Sequence, residues 1–416
     1  MTDFTQAVLG ALPVELFLVN DIDWGTVTYE DEESANVYAD VNSQLTHKSG
    51  ALRHMQIEIK LTGSSKDDLI TQENALRAEL GKPQNTLVLT PATATHATTY
   101  TVLRNPAASG KFNAKYERLN VGYYMVTLIC EPWGAGETKT VYTAYSGTSP
   151  ELLSLGTLVG QGDPRLRVKV TRDWAGAGVG MEFCCVALCT GGSGIGDYVY
   201  EAEDSDLYLS WYDYAGNPNC EGGHAARLDA ADTTAWLKLG VVVPASGPPP
   251  GRYRVFARAR ATTGDTGYIA KRKQYSTDRD PSTTVQLDNT KLTWNDLGEW
   301  VHYGSDSLRL YGKAATGGLY IDRVVMLPVD WGWVWYSDLT DVDTDNVSFG
   351  WLYDHTYANT GAPTTQIDAC GRIQGHGLKA PLTGYDLLIF VEPNGSDPDP
   401  GVLVDVSYIT RWEMFW

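Results

Sequence analysis

The chain has 416 residues, of which 43% are hydrophobic and 20% are charged. This is the composition of a folded globular protein, and the length allows more than one hydrophobic core. With 51 acidic against 32 basic residues the formal net charge is -19, which repels a phosphate backbone. We therefore expect no specific binding to nucleic acid.

The first residues, MTDFTQAVLGALPVELFLVND, contain no basic segment of the kind that begins a signal peptide. They also contain no run of about 18 apolar residues, the length that a helix needs to cross a bilayer. The sequence therefore predicts neither a signal peptide nor a membrane span, and we expect synthesis in the cytoplasm.

Cysteines are few for a chain of this length, and their spacing does not repeat as in a disulfide framework, so we expect reduced thiols. Three of them lie close together in MEFCCVALC. Adjacent strand residues point to opposite faces, and no CxxC pair or neighbouring histidine completes a four-ligand metal site. We interpret these three as small buried residues. The six cysteines are Cys130, Cys184, Cys185, Cys189, Cys220 and Cys370.

The remaining composition predicts an all-β protein made of several β-sandwiches. Gly (42), Tyr (24) and Trp (13) are frequent, and short β-branched or aromatic runs are broken by Gly, Pro, Asn and Asp. This pattern is typical of stacked sandwiches. Residues 53–61, RHMQIEIKL, alternate apolar and polar side chains, which predicts a strand with one buried face.

One helix follows, predicted over residues 66–80. Ser65 is its candidate N-cap, and Asp68 places a carboxylate near the positive end of the helix. The helix is expected to stop at Gly81 and Pro83. The leucines that line its apolar face are Leu69, Leu76 and Leu80.

Three more strand runs lie at residues 86–91, 98–106 and 123–134, and the last ends in Pro-Trp-Gly. They complete a predicted first domain over residues 1–135. The order of its elements, with the capped helix, NTLVLTP and LICEPWG, resembles that of siphophage distal tail and minor tail proteins. The resemblance implies a tail-tube-like domain that forms a ring, usually six-fold, which continues the tail tube.

A block with its own boundaries spans residues 198–330. It follows the glycine-rich hinge TGGSGIGD and contains the strand runs GRYRVFARARA, LRLYGKA and LYIDRVVMLP. We interpret it as an inserted domain. Residues 136–197 are too few to enclose a sandwich core by themselves. We predict that they combine with residues 331–416 into a discontinuous, galectin-like outer β-sandwich.

The inserted block resembles a family-6-type carbohydrate-binding jelly roll. EAED opens it, GRYRVFARARA matches a central strand, and TGGLYIDRVVMLP matches the closing strand. In such modules carboxylates hold a structural calcium ion, so the resemblance implies Glu201, Glu203 and Asp322 as its ligands. No other cofactor is expected. Tyr320 stands where the closing strand of sugar-binding members often carries asparagine.

Three aromatic residues are candidates for glycan binding. Trp211, Tyr212 and Tyr214 lie in the polar stretch SWYDYAGNPNC, where exposed rings stack on sugar faces. The alternative is that these rings pack in the core or at the rim of the jelly roll, because large aromatic side chains dominate the buried area of any sandwich.

The sequence shows no catalytic motif. The seven histidines fall in no nucleophile–base arrangement, and we expect no enzymatic activity. The alternative is a stand-alone glycan-binding protein or a glycoside hydrolase, because 51 acidic residues always offer some pair at about 5 to 9 Å.

These observations predict a structural protein that forms a ring at the tip of a phage tail and displays the jelly roll. The expected partners are copies of itself in a hexamer or trimer, other tail proteins such as the tail tube and the tail-tip hub, and host-surface carbohydrate. The expected location is the tail of the virion, after synthesis in the host cytoplasm.

Overall fold

The computed structural model folds into two compact units. The first comprises Met1–Lys139, Val159–Pro164 and Ile409–Trp416, and the second comprises Thr140–Leu158 and Arg165–Tyr408. The structure describes residues 4–16, 27–29, 51–82, 84–91, 97–104, 120–131, 133–161, 164–173, 181–190, 194–207, 210–216, 220, 223–229, 235–240, 242–329, 333–337, 346–352, 355–359, 373–375, 382–393 and 401–412.

The described residues of the first unit form one α-helix and a set of antiparallel strands. Its elements are β1 (Phe4–Leu9), β2 (Leu12–Leu16), β3 (Val27–Tyr29), β4 (Ala51–Thr62), α1 (Lys66–Leu80), β5 (Asn85–Pro91), β6 (Thr98–Arg104) and β7 (Val121–Cys130). The strand β8 (Gly134–Thr148) begins in this unit and continues into the second.

Six of these strands pair in a closed circuit. β1 pairs with β2 and β5, β4 pairs with β2 and β7, and β6 pairs with β5 and β7, all antiparallel. The alternation predicted for residues 53–61 is present in β4, where Met55, Ile57 and Ile59 are buried inside the circuit. A closed circuit leaves no unpaired edge among its own six strands.

The helix α1 has the bounds that the sequence predicts. The hydroxyl oxygen of Ser65 accepts a hydrogen bond from the backbone N–H of Asp68 at 3.1 Å, which satisfies one free donor of the first turn. Gly81 is the C-cap, and the three leucines of the apolar face are buried in the core of the first unit. The predicted helix is confirmed.

The second unit consists of strands and short turns. Its strands are β9 (Glu151–Ser154), β10 (Arg165–Arg172), β11 (Met181–Thr190), β12 (Val199–Glu201), β13 (Trp211–Ala215), β14 (His224–Asp229), β15 (Leu237–Lys238), β16 (Gly251–Ala261), β17 (Gly267–Lys271), β18 (Val285–Gln286), β19 (Thr293–His302), β20 (Leu310–Ala314), β21 (Gly318–Pro328), β22 (Trp333–Ser337), β23 (Asn346–Leu352), β24 (His355–Asn359), β25 (Ile373–Gly375) and β26 (Tyr385–Pro393). The last strand, β27 (Gly401–Trp412), has residues in both units.

Two sheets of the second unit form a jelly roll over the inserted block. One has the order β13-β14-β21-β16-β19, with β12 also pairing to β21, and the other has the order β15-β20-β17-β18. Between them lie Val255, Ile269, Leu310 and Ile321, all buried. The central strand β21 is buried along its whole length because both of its faces are covered.

A five-stranded sheet, β25-β22-β11-β26-β9, packs on the jelly roll within the second unit. Phe390 of β26 lies with its ring centroid 5.5 Å from Phe183, 5.8 Å from Phe256 and 4.8 Å from Trp294. Strands before, within and after the inserted block therefore bury one common apolar cluster.

The all-β class with several sandwiches is confirmed. Five of the six cysteines are described, and each is a buried free thiol; Cys370 lies outside the described residues. Burial raises the pKa of the Cys130 thiol to about 12. The assignment of residues 1–135, 136–197 with 331–416, and 198–330 to three separate domains stays a prediction.

Candidate functional site

One row of side chains crosses four neighbouring strands on the outer face of the jelly roll. The strand register places Tyr212 opposite Arg227, Arg227 opposite Tyr320, and Tyr320 opposite Arg260. Side chains directly opposite each other in antiparallel strands are neighbours on the same face of the sheet. These four residues form what we call the tyrosine–arginine row.

The rings and guanidinium groups of this row are in contact. The guanidinium carbon of Arg227 lies 4.7 Å from the ring centroid of Tyr214, 5.1 Å from that of Tyr320 and 5.9 Å from that of Tyr212. Arg260 approaches the Tyr320 ring from its other neighbouring strand, at 5.0 Å. Cation–π attraction of this kind holds the rings in fixed orientations.

A carboxylate at the end of β14 anchors the outer part of the row. The hydroxyl of Tyr212 donates to Oδ2 of Asp229 at 2.9 Å, and Nε of Arg227 lies 2.8 Å from Oδ1 of the same residue. Burial and this hydrogen bond raise the pKa of Tyr212. The tyrosine therefore stays neutral and keeps its donor at physiological pH.

Access to the row decreases from the edge of the sheet towards its centre. Tyr212, on the edge strand, is 37% exposed, Tyr214 is half-buried, and Tyr320 is 8% exposed. The Tyr214 ring meets Tyr320 edge to face, with centroids 5.6 Å apart. Nδ1 of His224 lies 2.9 Å from Asp213, but strand alternation places both of these side chains on the opposite face of the sheet from the row.

Trp211 does not share this surface. Successive side chains of a strand point to opposite faces, so Trp211 points into the jelly-roll core while Tyr212 and Tyr214 point outward. It is 4% exposed and packs against Gly312, where an added Cβ would lie 2.6 Å from its ring. The three aromatic residues chosen from the sequence thus separate into one core residue and two surface residues.

The three carboxylates expected to bind calcium lie within electrostatic reach of one another, and arginines already bind two of them. Oδ2 of Asp322 accepts from Nη1 of Arg258 at 2.8 Å, and Oε1 of Glu201 lies 2.9 Å from Nε of Arg323. Burial raises the pKa of Asp322 to about 7, against the opposing effect of Arg258. Neither carboxylate depends on a metal ion for a cationic partner.

Glu203 is the carboxylate of this group with an unsatisfied oxygen. Its Oε2 is buried and has no hydrogen-bond partner. Burial, with added repulsion from Glu201 and Asp322, raises the pKa of Glu203 to about 7. Within the described ranges, no three Asp, Glu, His or Cys side chains are arranged as metal ligands. The oxygen donors and the orphaned atom nevertheless fit a hard cation in their chemistry.

A pocket of about 360 Å³ lies beside these carboxylates. Glu201, Asp204 and Asp206 are its acidic lining residues, and Val242 and Pro244 are among its apolar ones. Glu203 does not line this pocket.

No protein-family profile matches the chain, and no curated protein matches it. Among solved structures, the Dit hub adsorption protein of phage SPP1 is similar over 77% of this chain and 98% of its own, with 11% identity and a TM-score of 0.25. A family-6 carbohydrate-binding module of Cellvibrio mixtus lichenase 5A, solved with cellotriose, is similar over 31% of this chain and 95% of its own, with 15% identity and a TM-score of 0.20.

A third similarity is to the GH26-CBM35 β-(1,4)-mannanase of Podospora anserina, at 15% identity and a TM-score of 0.19. It covers 31% of this chain and 27% of the mannanase, so the chain spans about a quarter of that enzyme. No helix among the described residues is long and apolar enough to cross a membrane.

Sequence reasoning missed the two arginines of the row. Arg227 and Arg260 lie in different strand runs, 33 positions apart (260 − 227), and Tyr320 lies 60 positions further on (320 − 260). Only the register of β14, β21 and β16 brings them together. No local pattern in the sequence indicated this arrangement, because the three residues lie in separate strand runs.

Proposed function

We propose that this protein is a structural component of a siphophage-type tail, of the distal tail or minor tail kind, and that its jelly roll binds host-surface glycan. The observation that carries the glycan part is the tyrosine–arginine row. The row combines the exposed ring of Tyr212 with the guanidinium of Arg227, and the half-buried ring of Tyr214 and the acceptor oxygens of Asp229 lie in contact with it. Flat rings that bind the apolar face of a sugar, beside groups that bind its hydroxyls, are a suitable glycan surface.

The tail role is supported by the first unit. Its helix and strands follow the order that the resemblance implies, and six strands close into a circuit. We propose that copies of this unit assemble into a hexameric or trimeric ring that contacts the tail tube and the tail-tip hub. A head-to-tail interface closes into such a ring when the rotation between copies divides the circle.

We also propose that calcium binds beside Glu203, with Glu201 and Asp322 as the other candidate ligands. These three carboxylates outnumber the two arginines that bind them, and a bound divalent cation would supply the missing positive charge. The cation would thereby hold β12, at the start of the jelly roll, against β21. Its role would be structural.

We propose that the protein acts without catalysis. The competing hydrolase function is favoured by one observation: Glu203 has a pKa of about 7, as a general acid of a glycosidase would need. That carboxylate is partly buried and does not line the pocket beside it. Release of reducing sugar from a bound polysaccharide, lost in Glu203→Gln, would replace our proposal with a hydrolase.

Native mass spectrometry of the full chain at micromolar concentration tests the tail role. We expect a hexamer or trimer, and a stable monomer would contradict ring assembly.

Binding to an array of bacterial surface polysaccharides tests the glycan role, with Tyr212→Ala expected to weaken affinity about tenfold. Point variants are preferable to removal of residues 198–330, because that deletion would expose Phe390 and leave Glu392 without Arg258.

A further inference from the structure

A second pair of exposed aromatic residues lies at the other end of the jelly roll from the tyrosine–arginine row. His302 at the end of β19 pairs with Gly251 at the start of β16, and Arg260 of the row is nine residues further along β16 (260 − 251). At about 3.3 Å per residue, this separation is roughly 30 Å. Tyr303, directly after β19, therefore belongs to a surface distinct from the row.

Tyr275 is at the tip of a hairpin that follows β17. The hairpin is closed by the bridge between Arg272 and Arg279 and by the bond from the Lys273 N–H to the Asp278 carbonyl at 2.8 Å. Tyr275 has a φ of 60° and is 75% exposed. The left-handed region is unfavourable for a residue with a Cβ. Because most of the Tyr275 side chain is exposed, its burial contributes little free energy to offset this strain. Packing does not explain a tyrosine at this position.

The hairpin is held against the end of β19 and against the connection that follows it. Nε2 of Gln274 donates to the Val301 carbonyl and to Oδ2 of Asp306, both at 2.9 Å, and its Oε1 accepts from the Val301 N–H at 3.3 Å. The buried guanidinium of Arg272 also binds Asp306. The residue next to the exposed tyrosine is thus fixed by three hydrogen bonds.

The ring of Tyr275 is stacked on that of Tyr303. Their centroids are 5.6 Å apart, the ring planes meet at 29°, and the two hydroxyl groups are hydrogen-bonded to each other. Tyr303 is 52% exposed. This stacked pair, which we call the platform, is ordered before any ligand arrives, and Tyr275, the more exposed of the two, leaves a ring face open to solvent.

The size of this platform decides between kinds of ligand. An aromatic side chain buries about 150 to 250 Å² in all, and because each ring covers one face of the other, the pair offers a ligand no more than about this area on one side. A stable protein interface needs about 800 Å² from each partner. A single sugar ring matches the smaller area. The neighbouring Asp306 is paired with Arg272, and Lys273 and Asp278 of the same hairpin are exposed charged residues beside the rings.

We propose that Tyr275 and Tyr303 form a second saccharide-binding site, which stacks on the apolar face of a pyranose unit. This inference rests on the proposed glycan-binding function and assigns it a second, independent contact. A polysaccharide that reaches both the platform and the row would be bound more tightly than one that reaches either alone, because the second contact is then intramolecular.

Substitutions at Tyr275 separate binding from folding. Tyr275→Gly should raise the melting temperature, because glycine adopts a φ of 60° without strain, and should weaken binding to the best-bound polysaccharide of the array about tenfold. Tyr275→Phe keeps the ring and should retain binding within about threefold. A structural role for the tyrosine would instead lower the melting temperature in both variants.

The outcomes distinguish this inference from the proposed function. If the wild-type chain binds no polysaccharide, both fail. If it binds, and Tyr212→Ala weakens binding while Tyr275→Gly and Tyr303→Ala do not, the second site is refuted and the proposed function stands. If Tyr275→Gly leaves polysaccharide binding intact but prevents ring assembly, the platform is a protein contact and the inference is equally refuted.

Discussion

The guanidinium of Arg258 binds the carboxylate of Glu392, which lies 134 positions further along the chain, with 2.9 Å between Nε and Oε2. The same guanidinium donates to Asp322 at 2.8 Å. All three side chains are at most 5% exposed. One buried cation therefore joins the central strands β16 and β21 of the jelly roll to β26 of the five-stranded sheet.

Removal of this cation should strongly destabilise the second unit. Arg258→Ala leaves two buried carboxylates without their cation, and breaking a buried ion pair in this way costs about 3 to 5 kcal/mol. Urea unfolding measures the loss. The matched control is Arg254→Ala on the same strand, whose bond to Asp296 is at the surface and contributes about 1 kcal/mol or less. Equal losses in the two variants would show that Arg258 is not a structural link.

Trp211 and Tyr212 are adjacent in sequence, and we expect their substitutions to have opposite consequences. Trp211→Ala removes a buried ring from the jelly-roll core and should reduce the free energy of unfolding by about 3 to 5 kcal/mol. Tyr212→Ala should reduce it by about 1 kcal/mol or less while weakening glycan binding. Urea titration together with the polysaccharide array measures both effects. A stable Trp211→Ala variant that fails to bind glycan would place the indole in the binding surface after all.

The raised pKa of Glu203 predicts a pH-dependent contribution to stability. Its folded pKa of about 7 lies above the ordinary glutamate value of 4.5, so between these values the folded chain holds a proton that the unfolded chain has released. The contribution of Glu203 to the free energy of unfolding therefore falls as the pH rises between these two values, and it is constant at higher pH. Glu203→Gln should therefore melt at a higher temperature than wild type at pH 7.5, with the difference vanishing near pH 4.5. A difference independent of pH would contradict this assignment.

Calcium is expected to stabilise the ionised form of the same group. A ligand that binds the folded state alone raises the melting temperature in proportion to the logarithm of its concentration above Kd. At pH 7.5, millimolar calcium should raise the melting temperature of wild type and have a smaller effect on Glu203→Gln. No change on adding calcium or a chelator to wild type would remove calcium from the proposal.

Local patterns were enough to predict several elements of the fold. The cap at Ser65, the spaced leucines and Gly81 gave the bounds of α1, because helix ends depend on neighbouring residues alone. GRYRVFARARA likewise coincides with β16 over Gly251–Ala261. The glycine count and the short aromatic runs were sufficient for the all-β class.

The candidate site depends on contacts between distant positions. The sequence placed Trp211, Tyr212 and Tyr214 together, but strand alternation separates the first from the other two. The resemblance also pointed to the carboxylates Glu201, Glu203 and Asp322. Nothing in the sequence indicated that Arg323 binds the first of these and that Arg258 binds the last.

The sequence by itself determined the class of the protein, its helix, its main strand runs and the reduced state of the five described thiols, because each follows from local composition and spacing. The tertiary structure decided which side chains share a face. Tyr212, Arg227, Tyr320 and Arg260 become one row through the pairing of four strands, and Tyr275 meets Tyr303 through the folding of a hairpin. A shift of one residue in any of these registers would turn a side chain to the opposite face.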